Sequence, residues 1–115
     1  MTLENLKQIT DDYFMVDISN KSRKAHLIKC RFLFYHTAYR LFPAETLSSL
    51  GRFLNQDHAT VLHALKELPY IINYDTRFAS LLDGYYKMIG LSDGDEQNIK
   101  VMDYDEIKQN KRKLI

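Results

Sequence analysis

Apolar residues return at three- and four-residue steps through most of the first 90 positions, and the breaks between them divide that stretch into helices. Leu3, Leu6, Ile9 and Tyr13 predict a first helix over 3–14, with Thr2 placed to cap it. The stretch DISNKS (17–22) reads as a loop, and FMVDI before it allows a short extended run. A longer helix follows over 23–42. It carries Leu27, Ile28, Phe32, Phe34, Tyr35, Ala38, Leu41 and Phe42 on several faces, as the most buried helix of a domain would. Pro43 stops it, because proline has no amide proton to continue the ladder. Thr46 caps a short helix over 47–54 with Leu47, Leu50 and Leu54 inward. Gly51 sits inside that helix at a cost of up to ~1 kcal/mol against alanine, which marks a close backbone approach or simple tolerance. Asn55 and Gln56 break the pattern. Asp57 then caps a helix over 57–68 that Pro69 is expected to end.

In that helix Val61, Ala64, Leu65 and Leu68 share one face. Ala59, His63 and Lys66 lie opposite, and His58 and Thr60 lie on the flanks. YIINYD (70–75) reads as a connector with some buried apolar groups. Residues 76–89 read as a last helix with Phe78, Leu81, Leu82, Tyr85 and Ile89 inward. Tyr13, Tyr35 and Tyr85 are expected at core edges rather than as a stacking platform for single strands. The expected fold is all-α: about five helices over 1–90 with a helix-turn-helix at 46–68. Residues 91–106 hold six acids and one lysine, and the final QNKRKLI is basic, so 91–115 are expected to form a charged, mobile or loosely docked tail.

The chain's 115 residues suit one domain, and 45% hydrophobic residues suffice for a single modest core. No apolar run approaches the ~20 residues of a membrane helix, and MTLENLKQIT has no signal-peptide pattern. With one cysteine, Cys30, the chain forms no internal disulfide, and a cytoplasmic location is expected.

The net charge of +1 conceals a local concentration: Lys21, Arg23, Lys24, Lys29 and Arg31 fall within eleven residues that contain no acid. Such a patch attracts phosphate, or is simply a solvated helix end. Arg40 and Arg52 read as solvated face residues.

NQDHATVLH (55–63) invites a reading as a reactive or metal-binding cluster. Spacing opposes it. His58 and His63 are five apart and do not share a helix face, whereas zinc pairs sit at i, i+4 and need further ligands. His26 and Cys30 have that spacing but no partner pair, and a buried inert thiol is the default for a cysteine on a core helix. No metal, cofactor, small-molecule substrate or catalytic role is expected. A helix-turn-helix reader instead needs short or hydrogen-bonding residues at the start of its second helix, and His58, Ala59 and Thr60 supply them.

LGRFLNQDHATVLHALKEL resembles the C-terminal DNA-binding domain of DnaA, the bacterial chromosomal replication initiator, a Trp-repressor-like helix-turn-helix. Gly51, Asp57, His58, Thr60, Val61, His63 and Ala64 match that family's signature in order. The likeness covers about four-fifths of the chain and is most specific over 46–64. It implies base reading in the major groove by the row Gln56, Asp57, His58, Ala59 and Thr60. It also implies a phosphate contact by His63, minor-groove entry by Arg23 and a backbone contact by Arg31 with Lys29 nearby. With Lys21, Lys24 and Lys66, these make up the expected backbone or minor-groove set. Three departures from the family pattern bear on specificity: Gln56 stands for an arginine, Ala59 for a threonine, and the turn before the second helix is one residue shorter. The family's GKT/GKS phosphate loop is absent.

The expected function is sequence-selective binding of double-stranded DNA in replication or transcription control, with a phage or other mobile element as the expected source. The alternative is a protein–protein adaptor that keeps the fold without the DNA contacts and uses the 91–115 tail to hold another protein.

Overall fold

In the computed structural model, residues 1–90 are described, and the expected tail at 91–115 lies outside the described residues. The elements are α1 (Leu3–Phe14), α2 (Ala25–Leu41), α3 (Leu47–Phe53), α4 (His58–Tyr74), α5 (Thr76–Ala79) and α6 (Leu82–Ile89). No strand occurs among the described residues, so FMVDI is not extended; Met15 closes α1 in the left-handed conformation instead.

The expected caps are present. Thr2 and Thr46 each accept from an amide in the first turn and complete a capping box, and the Asp57 side chain accepts from the Thr60 amide.

Helix α2 is central. It packs on α4, α1 and α3, and α1 closes against α6. Residues 33–38 of α2 are all buried, which explains why its apolar residues point in several directions. Leu33, Phe34 and Ala38 meet Val61, Leu65 and Leu68 of α4 in the main cluster. Two hydrogen bonds hold α1 against the α6 end: Thr10 Oγ1 and Tyr85 Oη of α6 share one of 2.8 Å, and Tyr13 Oη donates at 2.6 Å to the carbonyl of Leu81, just before α6. Tyr35 and Tyr85, expected at core edges, are fully buried.

Pro69 does not end α4. The helix continues five residues beyond it, and the expected connector YIINYD is helical up to Tyr74. Proline removes one intrahelical bond and crowds the preceding turn, at about 3 kcal/mol. Burial of Leu68 and Ile71 on the core face, each worth roughly 1.5–3 kcal/mol, offsets that cost. The expected helix over 76–89 is divided at Ser80–Leu81. There the Ser80 hydroxyl donates to the Arg77 carbonyl at 2.7 Å, and such local bonding competes with helix propagation. Asp75 serves both sides of the corner: its amide bonds the end of α4, and its carboxylate accepts from the Phe78 amide.

Candidate nucleic-acid interface

The turn between α3 and α4 is set by Gly51. The Gln56 amide donates to the Gly51 carbonyl at 2.8 Å. A Cβ at position 51 would lie 2.6 Å from the Gln56 carbonyl oxygen and 2.8 Å from that of Asp57. Real Cβ atoms do not approach backbone that closely, so glycine is here because the chain folds back onto α3. Asn55 makes the reversal with φ 57°, a left-handed conformation that asparagine tolerates.

The turn delivers α4 with its first residues outward. Asp57, His58, Ala59 and His63 are exposed; Gln56 and Thr60 are half-buried. Thr60 donates both its amide and its hydroxyl to Asp57 Oδ1, each at 2.9 Å. These bonds hold the Asp57 carboxyl below its usual range and leave the Thr60 oxygen free to accept. Gln56 is steered from beneath, since Tyr35 Oη donates to its Oε1 at 2.5 Å. Burial pushes the Tyr35 phenol up, so it remains a donor. His63 sets its ring edge-on to Phe32, centroids 5.6 Å apart.

An open groove of ≈ 550 Å³ runs between the loop before α2 and the start of α4. Arg23 lies on one side and Ala59, Thr60 and His63 on the other, with Phe32 among the lining residues. On the outer side of the turn a second hollow is lined by Ser48, Arg52, Asn55 and His58. Arg52 is exposed there, so this presumed face residue stands beside the expected base-reading row. No sequence signal distinguished it from any other exposed arginine. Tyr35 was not expected at the site either, because a tyrosine inside an apolar helix reads as core.

The basic stretch is less uniform than its composition. Arg31 also lines the groove but is only 8% exposed, and its donors serve the backbone: its Nε donates to the Ile18 carbonyl at 2.9 Å, and its Nη2 donates to the carbonyls of Asn20 and Ser22. Lys21 Nζ donates to the Leu54 and Asn55 carbonyls at 3.3 and 3.1 Å, which ties the loop to the α3–α4 turn. Lys29 pairs with Asp75 beside His26 and Phe78, in a hollow apart from the groove. That pairing raises the ammonium's pKa and lowers the carboxyl's. Lys24 is exposed but lines a further hollow with Asp17, Asn20 and Leu27. Lys66 is half-buried on α4. Of the five cations expected at the DNA backbone from 21–31, Arg23 is the exposed one lining the groove with α4.

No group of three or more His, Cys, Asp or Glu side chains able to hold a metal occurs among the described residues. Cys30 is fully buried, and burial pushes its thiol up to about 12, so it stays protonated. No helix among the described residues is long and apolar enough to cross a membrane.

The chain is similar to curated chromosomal replication initiator proteins DnaA. It is 29% identical over 94 residues to that of Flavobacterium psychrophilum, covering 79% of this chain and 20% of the relative. To the DnaA of Wolbachia pipientis wMel it is 29% identical over 92 residues, covering 76% of this chain and 20% of the relative. The DnaA of a Wolbachia from Brugia malayi is 28% identical over the same length. The chain thus spans about one-fifth of the length of the relatives it matches. No family model and no solved structure matches it. The matches agree with the resemblance to the initiator's C-terminal domain carried by residues 46–64, and the all-helical fold agrees with it too.

Proposed function

We propose that the chain binds double-stranded DNA with sequence selectivity through the α3–turn–α4 unit, as a binding module rather than an enzyme. One observation carries this reading: the groove that sets exposed Arg23 opposite Ala59, Thr60 and His63. The relatives' role as replication initiators gives it the same direction.

In this reading the start of α4 enters the major groove. Ala59 brings a methyl within reach of a thymine methyl, Thr60 offers its oxygen as acceptor, and His58 reaches a base edge. Gln56, its oxygen engaged by Tyr35, presents its NH2 as a donor. His63 and Arg52 flank the reading row at phosphate positions. Arg23 is offset from α4 and reaches the adjacent backbone or minor groove. The process served is replication or transcription control, on nucleoid DNA in the cytoplasm.

Selection from a random duplex pool tests the reading. A recurring motif should be enriched, and affinity for it should fall with salt at a log–log slope of about −0.9 per phosphate contacted. If no motif is enriched and affinity stays at the non-specific level at every salt concentration, the reading fails in favour of an adaptor that holds another protein.

A further inference from the structure

Arg31 is a buried cation at the wall of the groove whose hydrogen bonds go to backbone carbonyls, not to a carboxylate. Its guanidinium gives hydrogen bonds to three carbonyls of one loop, those of Ile18, Asn20 and Ser22. Burying such a group is costly unless its donors are satisfied, and satisfying them fixes the backbone that supplies the acceptors.

The loop is held from other sides as well. The Ile18 amide donates to Asp11 Oδ1 at 2.9 Å, and Lys7 holds both Asp11 and Asp17. Asn20 Oδ1 accepts from the Ser22 amide, Ser22 Oγ accepts from the Lys24 amide, and Lys21 reaches the α3–α4 turn. From Asp17 to Ser22 the loop is thus tied to itself, to α1, to α2 and to the α3–α4 turn. The next residue, Arg23, is exposed toward the groove.

We propose that Arg31 is a positioning residue: from α2 it fixes the 18–22 loop in the shape that holds Arg23 across the groove from the start of α4. Resting on the reading of that groove as a duplex site, the proposal makes the arm preformed instead of ordered on contact. A preformed arm loses less entropy on binding, so its cation adds more affinity. Lysine cannot replace it. An ammonium is a compact point charge without the planar fork that spans three carbonyls.

The test crosses Arg31→Met and Arg31→Lys with Arg23→Ala, reading affinity for the selected duplex and amide exchange across the chain. Expected is a loss of about tenfold for each single change and no more than about a further twofold for Arg31→Met on top of Arg23→Ala, since both remove the same contact. Exchange should speed up at the amides of Ile18, Ser22 and Lys24 while those of α4 stay protected. Arg31→Lys should fail to restore affinity. Equal losses from Arg31→Met with and without Arg23, rescue by lysine, or unchanged exchange at 18–24 would each overturn the proposal. Should Arg31→Met unfold the chain, Arg31→Lys and Lys21→Met carry the same cycle. If the unmodified protein selects no duplex, the proposed function has failed, and loop exchange in the Arg31 variants alone decides whether Arg31 builds the arm.

Discussion

Two stretches carry the chemistry expected to touch DNA, the basic run at 21–31 and the start of α4 at 56–63, and they meet opposite fates. In the basic run, Arg31 and Lys21 donate to backbone carbonyls, Lys29 is paired with Asp75, and Lys24 faces another hollow. Arg23 alone lines the groove as an exposed cation. At the start of α4 internal bonds leave the face open: Asp57 holds Thr60 and stays exposed, half-buried Gln56 accepts from Tyr35, and His58, Ala59 and His63 stay outward. Charge along the chain therefore measures how many cations a segment has, not how many it can spend on a partner. Helical spacing is the better guide, because it fixes direction.

The largest expected effect attacks the geometry that both regions share. Gly51→Ala sets a Cβ 2.6 Å from the Gln56 carbonyl, and that backbone cannot give way without moving the start of α4. A loss of about 1–3 kcal/mol in urea unfolding is expected, together with loss of duplex selection. An unchanged stability would mean that the turn is looser than described.

Next come the contacts themselves, which should separate the two regions. His58→Ala should cost about 1–3 kcal/mol at one base position and little elsewhere. Arg23→Ala should weaken binding to all duplexes alike and reduce the salt slope by about one. If His58→Ala weakened all sequences equally, base reading would have to be assigned elsewhere.

The third expectation concerns the core beneath both regions. His36 is buried, and burial, with the nearby Arg40 charge, lowers its pKa to about 4 from 6.5. It is neutral in the fold, whereas the unfolded chain takes up a proton below 6.5. Its contribution is therefore complete above pH 6.5 and is lost as pH falls toward 4. Stability should drop by about 1–2 kcal/mol between pH 7 and pH 5, and His36→Gln should flatten that drop.

The smallest effect sharpens the comparison most. Lys29→Ala should leave duplex affinity and salt slope unchanged, with a stability loss of at most about 1 kcal/mol, since its pair with Asp75 is only partly buried. A slope change as large as that of Arg23→Ala would return the whole basic run to the interface.

Much of this is legible in the sequence. Thr2, Thr46 and Asp57 mark helix starts because capping is chemistry within four residues. The inward face of α4 follows from the spacing of Val61, Ala64, Leu65 and Leu68. One expectation fails and one residue gains a duty that spacing does not show, for the same reason. Pro69 is a local stop signal overruled by burial of Leu68 and Ile71, and Arg31 is a local charge overruled by carbonyls that the fold brings to it. Neither Tyr35 under Gln56 nor Lys21 on the α3–α4 turn has a sequence signature, because each joins segments more than twenty residues apart.

The most direct test of the central claim is amide chemical-shift mapping with the duplex recovered by selection. The largest shifts are expected at 22–24 and 56–63, with Arg52 at the margin, and none above background at His26, Lys29 or 75–81. Shifts concentrated on that second face, with 56–63 unmoved, would contradict it.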